Sequence, residues 1–334
     1  MVQFSKIMKP EKGLKEGTTV PKRELRLKEV VPSLDKRGPK TDGVEALYNA
    51  LLNKAIEVRE RVIKDQGISP SPILRLIHEI ISKEQIDNFY KYTLIVTDDY
   101  GLPSHDISVT AASLKVGKGL NYDLKDLLKL GLAAFFQNIG MYKIPEKIVN
   151  KKGKLTKEES ELIKKHPQFS YEILLKMGKS FRWLAEIALQ IHERYDGSGY
   201  PRGLKGKEIS EYAFIIGLVD MYIAMIRHRP YREKFIQTEA IKSILEIGKG
   251  KFPPYIVKAF LNQITLFPIN TYVRLNNNAI GRVISTDENK PMRPTVEIIF
   301  DSRGRRLSNP QIVDLRDSPL LHITDTIDEN SLKK

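Results

Sequence analysis

His192-Glu193-Arg194-Tyr195-Asp196-Gly197-Ser198-Gly199-Tyr200-Pro201 is the stretch on which the reading of this chain turns. Just before it, Leu184, Ile187, Ala188 and Ile191 recur at three- and four-residue steps. That spacing places His192 near the end of an amphipathic helix and puts Ile191 on its apolar face. Two glycines and a proline then fix a compact turn, because glycine takes positive φ at little cost and proline presets its own. By turn chemistry alone the run is a helix-terminating loop.

Working outward, the flanks read as helices. Expected helices span Ser104 to Val116, Tyr122 to Phe136, Lys157 to Lys165, Tyr171 to Met177, Phe181 to Arg194, Glu211 to Arg227 and Thr238 to Ile247, with Gly and Pro in the connections. Upstream, residues 43–99 form a helical prelude. Leu47, Leu51, Ala55 and Val58 repeat at helical steps, Ile73 to Ile81 follow a Ser-Pro-Ser-Pro punctuation, and a third helix runs near Ile86 to Val96. Residues 1–42 carry many Lys, Pro and Gly and read as a basic, loosely ordered arm. After Pro268 the period changes to alternation over Tyr272 to Leu275, Ile280 to Ser285 and Thr295 to Phe300, with Asn276 to Asn278 and Asp301 to Gly304 as turns. The expectation is a mainly α protein: a helical body over 100–265, its prelude, and a small C-terminal β appendage over 266–334 whose strands pair with each other.

Composition narrows the chemistry. The chain has 334 residues, 41% hydrophobic and 29% charged, enough to bury a sizeable core. It has no cysteine, so disulfides and thiolate zinc sites are excluded and any metal must use His, Asp or Glu. The start, MVQFSKIMKPEKG, has no apolar core of a signal peptide, and the longest apolar stretch, Ala213 to Ile226, is too short for a bilayer and contains Asp220. A cytoplasmic protein with no membrane span is expected. The net charge of +14 favours anionic partners such as nucleotides, acidic head groups, nucleic acid or an acidic protein. Gly178-Lys179-Ser180 fails as a phosphate loop because Ile173 stands where the first glycine is required. Gly197-Ser198-Gly199 fails as a dinucleotide fingerprint because Arg202 stands at the third glycine and no strand precedes it. Asp196 lacks the companion carboxylates of a calcium loop.

What remains is an ordered set: Ala133-Ala134-Phe135-Phe136-Gln137-Asn138-Ile139-Gly140 ending in Ile144-Pro145, then His166-Pro167, the HERYDGSGYP run, Val219-Asp220-Met221-Tyr222, and His228-Arg229-Pro230-Tyr231-Arg232. This order resembles the HD-GYP family, a bacterial branch of the HD phosphohydrolases, over about 100 to 250, and more weakly into the β appendage at Val313-Asp314-Leu315. The resemblance implies an HD-type helical bundle. It also implies a site that hydrolyses cyclic di-GMP through water activated by two or three metals, usually iron or manganese.

Carried over residue by residue, the family's metal ligands fall on His105, His166, His192 and Asp220. Its His-Asp pair stands here as Gln137-Asn138, its following Lys as Met141, the first His of its His-His pair as Ile191, and a second late Asp as Ile223. Asn138 cannot supply an anionic bridge between two cations, Gln137 is a poor substitute for imidazole, and Ile191 cannot ligate. No catalytic residue is therefore expected, and the cofactor is either none or a single weakly bound iron or manganese ion. The retained His105, His192 and Asp220 read either as a buried ion-paired relic that specifies the core or as part of a one-metal site. His166 reads either as a ligand or as a helix-end residue before Pro167.

The resemblance further implies ligand or partner contacts from Asp196, Gly197, Gly199, Tyr200 and Pro201, and from Arg229, Pro230, Tyr231 and Arg232, whose alternative is a solvated basic turn. Three functions follow: a non-catalytic module binding cyclic di-GMP, a residual phosphodiesterase, or a scaffold for a diguanylate cyclase (GGDEF) domain. Nucleic acid is not expected as a partner.

Overall fold

The structure is a computed structural model that describes residues 43–96, 101–151, 153–226, 237–264, 267, 269–287, 290 and 292–327. The arm at 1–42 and the turn holding Arg229, Pro230, Tyr231 and Arg232 lie outside the described residues.

The prelude consists of α1 (Val44–Ile63), α2 (Ser71–Ser82) and α3 (Ile86–Ile95). Along α1, Leu47, Leu51, Ala55, Val58 and Val62 are buried at the three- and four-residue steps that make one helical face. The body follows: α4 (Leu102–Gly119), α5 (Leu124–Phe136), a 3₁₀ turn (Ile139–Lys143), α6 (Glu146–Val149), α7 (Lys157–Ile163), α8 (His166–Leu175), α9 (Arg182–Gln190) and α10 (Glu211–Ile226). Beyond it come α11 (Gln237–Ile247) and α12 (Pro254–Gln263). Prelude and body share one apolar core, in which Leu51 and Ile77 belong with Leu114, Leu132, Ile191 and Ile216.

Local chemistry sets the ends. The Asp123 side chain accepts from the Asp126 amide and starts α5. Thr156 and Glu159 form a reciprocal capping box on α7. Two boundaries differ from the sequence expectation by four residues or more. Pro167 occupies the first turn of α8, where its missing N–H costs nothing, so the helix begins at His166 rather than near Tyr171. The α9 helix stops at Gln190, not Arg194, because the turn that follows draws the chain away: the Tyr200 amide donates back to the His192 carbonyl at 3.1 Å.

α4 and α10 run through the centre and are the frame of the site. α4 is buried from Pro103 to Gly117 although it carries His105, Asp106, Ser108, Thr110 and Lys115. The hydroxyls of Ser108 and Thr110 donate to carbonyls four residues back, at 3.0 and 2.8 Å. Gly217 lets α10 approach the preceding loop, since a Cβ there would stand 2.3 Å from the Ile191 carbonyl oxygen.

The C-terminal sheet is antiparallel in the order β4-β3-β2-β1-β5, from β1 (Tyr272–Leu275), β2 (Ile280–Ser285), β3 (Thr295–Phe300), β4 (Arg306–Asp314) and β5 (Ile323–Ile327). Val273, Leu275, Val283, Val296 and Ile298 are its buried face. Among the described residues no helix is long and apolar enough to cross a membrane.

Candidate functional site

Five segments bring sequence-predicted residues to one cleft of about 650 Å³. These are His105 from α4, Asn138 and Met141 from the end of α5 and the turn after it, His166 from α8, His192 and Tyr200 from the loop after α9, and Asp220 from α10. The same cleft is lined by Ile63 from α1, Ile144, Ile148 and Val149 around α6, and Leu155 and Ile163 around α7, and also by Arg59, Glu146 and Lys151.

Asp220 is held by two donors. His105 Nε2 donates to its Oδ1 at 2.8 Å, and Gln137 Nε2 donates to the same atom at 3.1 Å. A carboxylate only accepts, so it dictates that the Gln137 amide turns nitrogen inward. The cost falls on Gln137 Oε1, which is buried with no hydrogen-bond partner. One residue along, Asn138 Nδ2 donates to Asp106 Oδ1 at 3.0 Å, and both residues are buried. The positions read as lost ligands thus serve as hydrogen-bond donors to two buried carboxylates.

The other two histidines face each other. His166 Nδ1–H donates to the Ile163 carbonyl at 2.8 Å, which leaves its Nε2 as an acceptor for His192 Nε2–H at 2.9 Å. Burial pushes the His192 pKa down to about 3, helped by the neighbouring His166 and opposed by Asp220; burial also lowers that of His166. Both rings are neutral at pH 7. His192 therefore takes His166 as its hydrogen-bond partner, where the sequence reading placed it with Asp220. The Tyr200 ring stacks on His192 at 4.9 Å with 13° between planes, and burial pushes its hydroxyl up to about 12.

The loop itself is built tightly. Asp196 accepts from the amide and hydroxyl of Ser198 at 2.9 and 2.7 Å, and Gly197 sits at φ 82°. A Cβ on Gly199 would lie 2.4 Å from the Glu193 Cα and 2.5 Å from the His192 carbonyl oxygen, so the position requires glycine. Of the loop residues expected to bind, Tyr200 lines the cleft, while Asp196, Gly197 and Gly199 shape the turn; the Tyr200–Pro201 bond is cis. Ile191 is 1% exposed and fills the core.

Three contributors escaped the sequence reading. Glu193, 1% exposed, accepts from the amides of Arg202 and Leu204 at 2.7 and 3.0 Å and clamps the loop. Asp106 anchors Asn138, and Arg59 reaches the cleft from the prelude. The polar residues of α4 inside an otherwise apolar body were a signal for Asp106; nothing local marked the other two.

Among the described residues no three His, Asp or Glu side chains form a group able to hold a metal ion. The donor set does not fit a two-metal centre: the amide of Asn138 is neutral, and Asp220 is already engaged by an imidazole and an amide.

Residues 78–255 match the HD domain family, and residues 272–334 match the KOW domain associated with HD domain. The chain is 29% identical over 272 residues to a cyclic di-GMP phosphodiesterase of Pseudomonas aeruginosa, covering 81% of this chain and 63% of that one. It is 40% identical over 134 residues to a cyclic di-GMP phosphodiesterase of Thermotoga maritima, covering 40% of this chain and 36% of that one. The chain thus spans less than two thirds of the length of these relatives. A HDG"Y"P protein from Bdellovibrio bacteriovorus shares the fold, with a TM-score of 0.54 at 18% identity over 68% of this chain and 73% of that one.

Proposed function

This chain belongs to the HD domain family, in its HD-GYP branch, and from that footing we propose that it acts in cyclic di-GMP signalling as a binding module that holds the cyclic dinucleotide without two-metal hydrolysis. The observation that carries this reading is the inward turn of the Gln137 and Asn138 amides onto Asp220 and Asp106. A two-metal site needs anionic oxygens facing cations that activate water and neutralise the phosphate. Here N–H groups occupy that role toward the carboxylates. The four remaining donors satisfy one another, so an ion among His105, His166, His192 and Asp220 must break the His105–Asp220 and His166–His192 hydrogen bonds and is held weakly.

The cleft supports nucleotide binding on other grounds. Its size suits a small-molecule ligand, its lining combines polar and apolar side chains, and Tyr200 offers a ring already stacked on His192. A relative named as a cyclic di-GMP phosphodiesterase aligns over 272 residues, 81% of this chain. The test is calorimetry of the full chain with cyclic di-GMP at low salt, followed by chromatography of the same mixture after long incubation with iron(II) or manganese(II). The expected outcome is binding heat and intact cyclic dinucleotide. Linear dinucleotide or GMP at a turnover above the metal-only control would replace this reading with a residual phosphodiesterase.

A further inference from the structure

We propose that the cleft holds a guanine-reading subsite in which Arg59 and Glu146 identify the base; the inference rests on the cleft being a cyclic-dinucleotide site. Arg59 Nη2 lies 3.3 Å from Glu146 Oε1, and Asn150 Nδ2 donates to that same oxygen at 3.4 Å. Ile63, Ile144, Ile148 and Val149 line the same cleft and supply it with apolar surface.

Guanine matches this wall in sign and order. Its O6 and N7 accept, and an arginine fork addresses both at once. The neighbouring N1–H and the N2 amino group donate, and a carboxylate accepts from both. Donor beside acceptor on the protein thus meets acceptor beside donor on the base. Adenine presents an amino group where guanine has O6, and a bare nitrogen where guanine has N1–H. It would set donor against donor and acceptor against acceptor.

The wall is also available. The Arg59 and Glu146 side chains are 43% and 71% exposed, so their mutual ion pair contributes little and exchanges readily for a ligand. Arg59 comes from α1, which precedes the HD-matching segment 78–255. His192 and Tyr200 line the same cleft and are left for the rest of the dinucleotide. The prelude therefore supplies specificity to a site whose frame is the helical body.

The test is calorimetry of the full chain with cyclic di-GMP and with cyclic di-AMP at one salt concentration, for the wild type, Arg59→Gln and Glu146→Gln, with thermal melting alongside. The wild type is expected to prefer cyclic di-GMP. Each variant is expected to weaken cyclic di-GMP on the order of tenfold and to narrow that preference, at unchanged melting temperature. If Arg59→Gln melts early, Arg59→Lys, which keeps the charge and loses the fork, carries the same expectation. Variants that keep wild-type selectivity overturn the subsite while leaving the cleft a nucleotide site. A wild type that binds both nucleotides equally also overturns it. A wild type that binds neither overturns the subsite and the proposed function together.

Discussion

At the scale of single residues, the amides at 137 and 138 each donate to a carboxylate, Asp220 and Asp106. Asn138 is the sharper case, because its nitrogen meets a buried carboxylate, Asp106, at 3.0 Å. Replacing it by Asp sets two buried carboxyl groups in contact, and one must take a proton or leave. Asn138→Asp is expected to lose about 2–4 kcal/mol at pH 7.5, read from urea unfolding. The deficit shrinks as the pH falls, because protonating one carboxyl restores the missing donor; the pair's pKa is raised in the folded state, so its stability is present at low pH and lost as pH rises. A variant as stable as the wild type across pH 5–8 would mean that a cation or solvent already balances Asp106. Of these residues, His105, His166, His192 and Asp220 were legible in the sequence because their spacing resembles a known site. Glu193 and Arg59 were not, and Asp106 showed only as a polar residue in a buried helix, since their roles depend on which backbone amide, side chain or wall the fold brings to them.

At the scale of elements, the helices with a clear apolar stripe were legible, including two that proline opens, but α12 was not. Pro254 opens α12 from the first turn, where proline is welcome, yet in sequence Pro253-Pro254 reads as a break. β4 is largely exposed and carries Pro310, which an edge strand tolerates and a central one does not. Its polar text, RLSNPQIVD, hides a strand whose pairing with β3 supplies the order. α1 shows the reverse: its stripe was plain, but its place in the common core and at the cleft was not. Leu47, Leu51, Ala55, Val58 and Val62 are each at most 7% exposed. A large apolar side chain of this kind contributes about 1.5–3 kcal/mol, against a total stability of about 5–15 kcal/mol for a domain. A fragment covering 78–334, cut where the HD match begins, is therefore expected to lose its cooperative melt by circular dichroism. A fragment melting within a few degrees of the full chain would show that the body is self-sufficient and that α1 is an accessory.

At the scale of the whole molecule, the helical frame of the HD domain family holds a cleft whose polar residues are hydrogen-bonded to one another. Ile191 lies in the core, Met141 lines the cleft without a charge, and the remaining imidazoles and carboxylates are paired with one another. The HERYDGSGYP run still folds as its own text directs, with Gly199 pressed on the backbone and Tyr200 stacked on His192. Its Tyr200 and His192 form part of the wall of the cleft. The most direct measurement is the iron and manganese content of the full chain, purified without chelator and read by elemental mass spectrometry. The expected result is fewer than two metal ions per chain. Two tightly held ions per chain would contradict it, and would mean that the amides of Gln137 and Asn138 do not close the site.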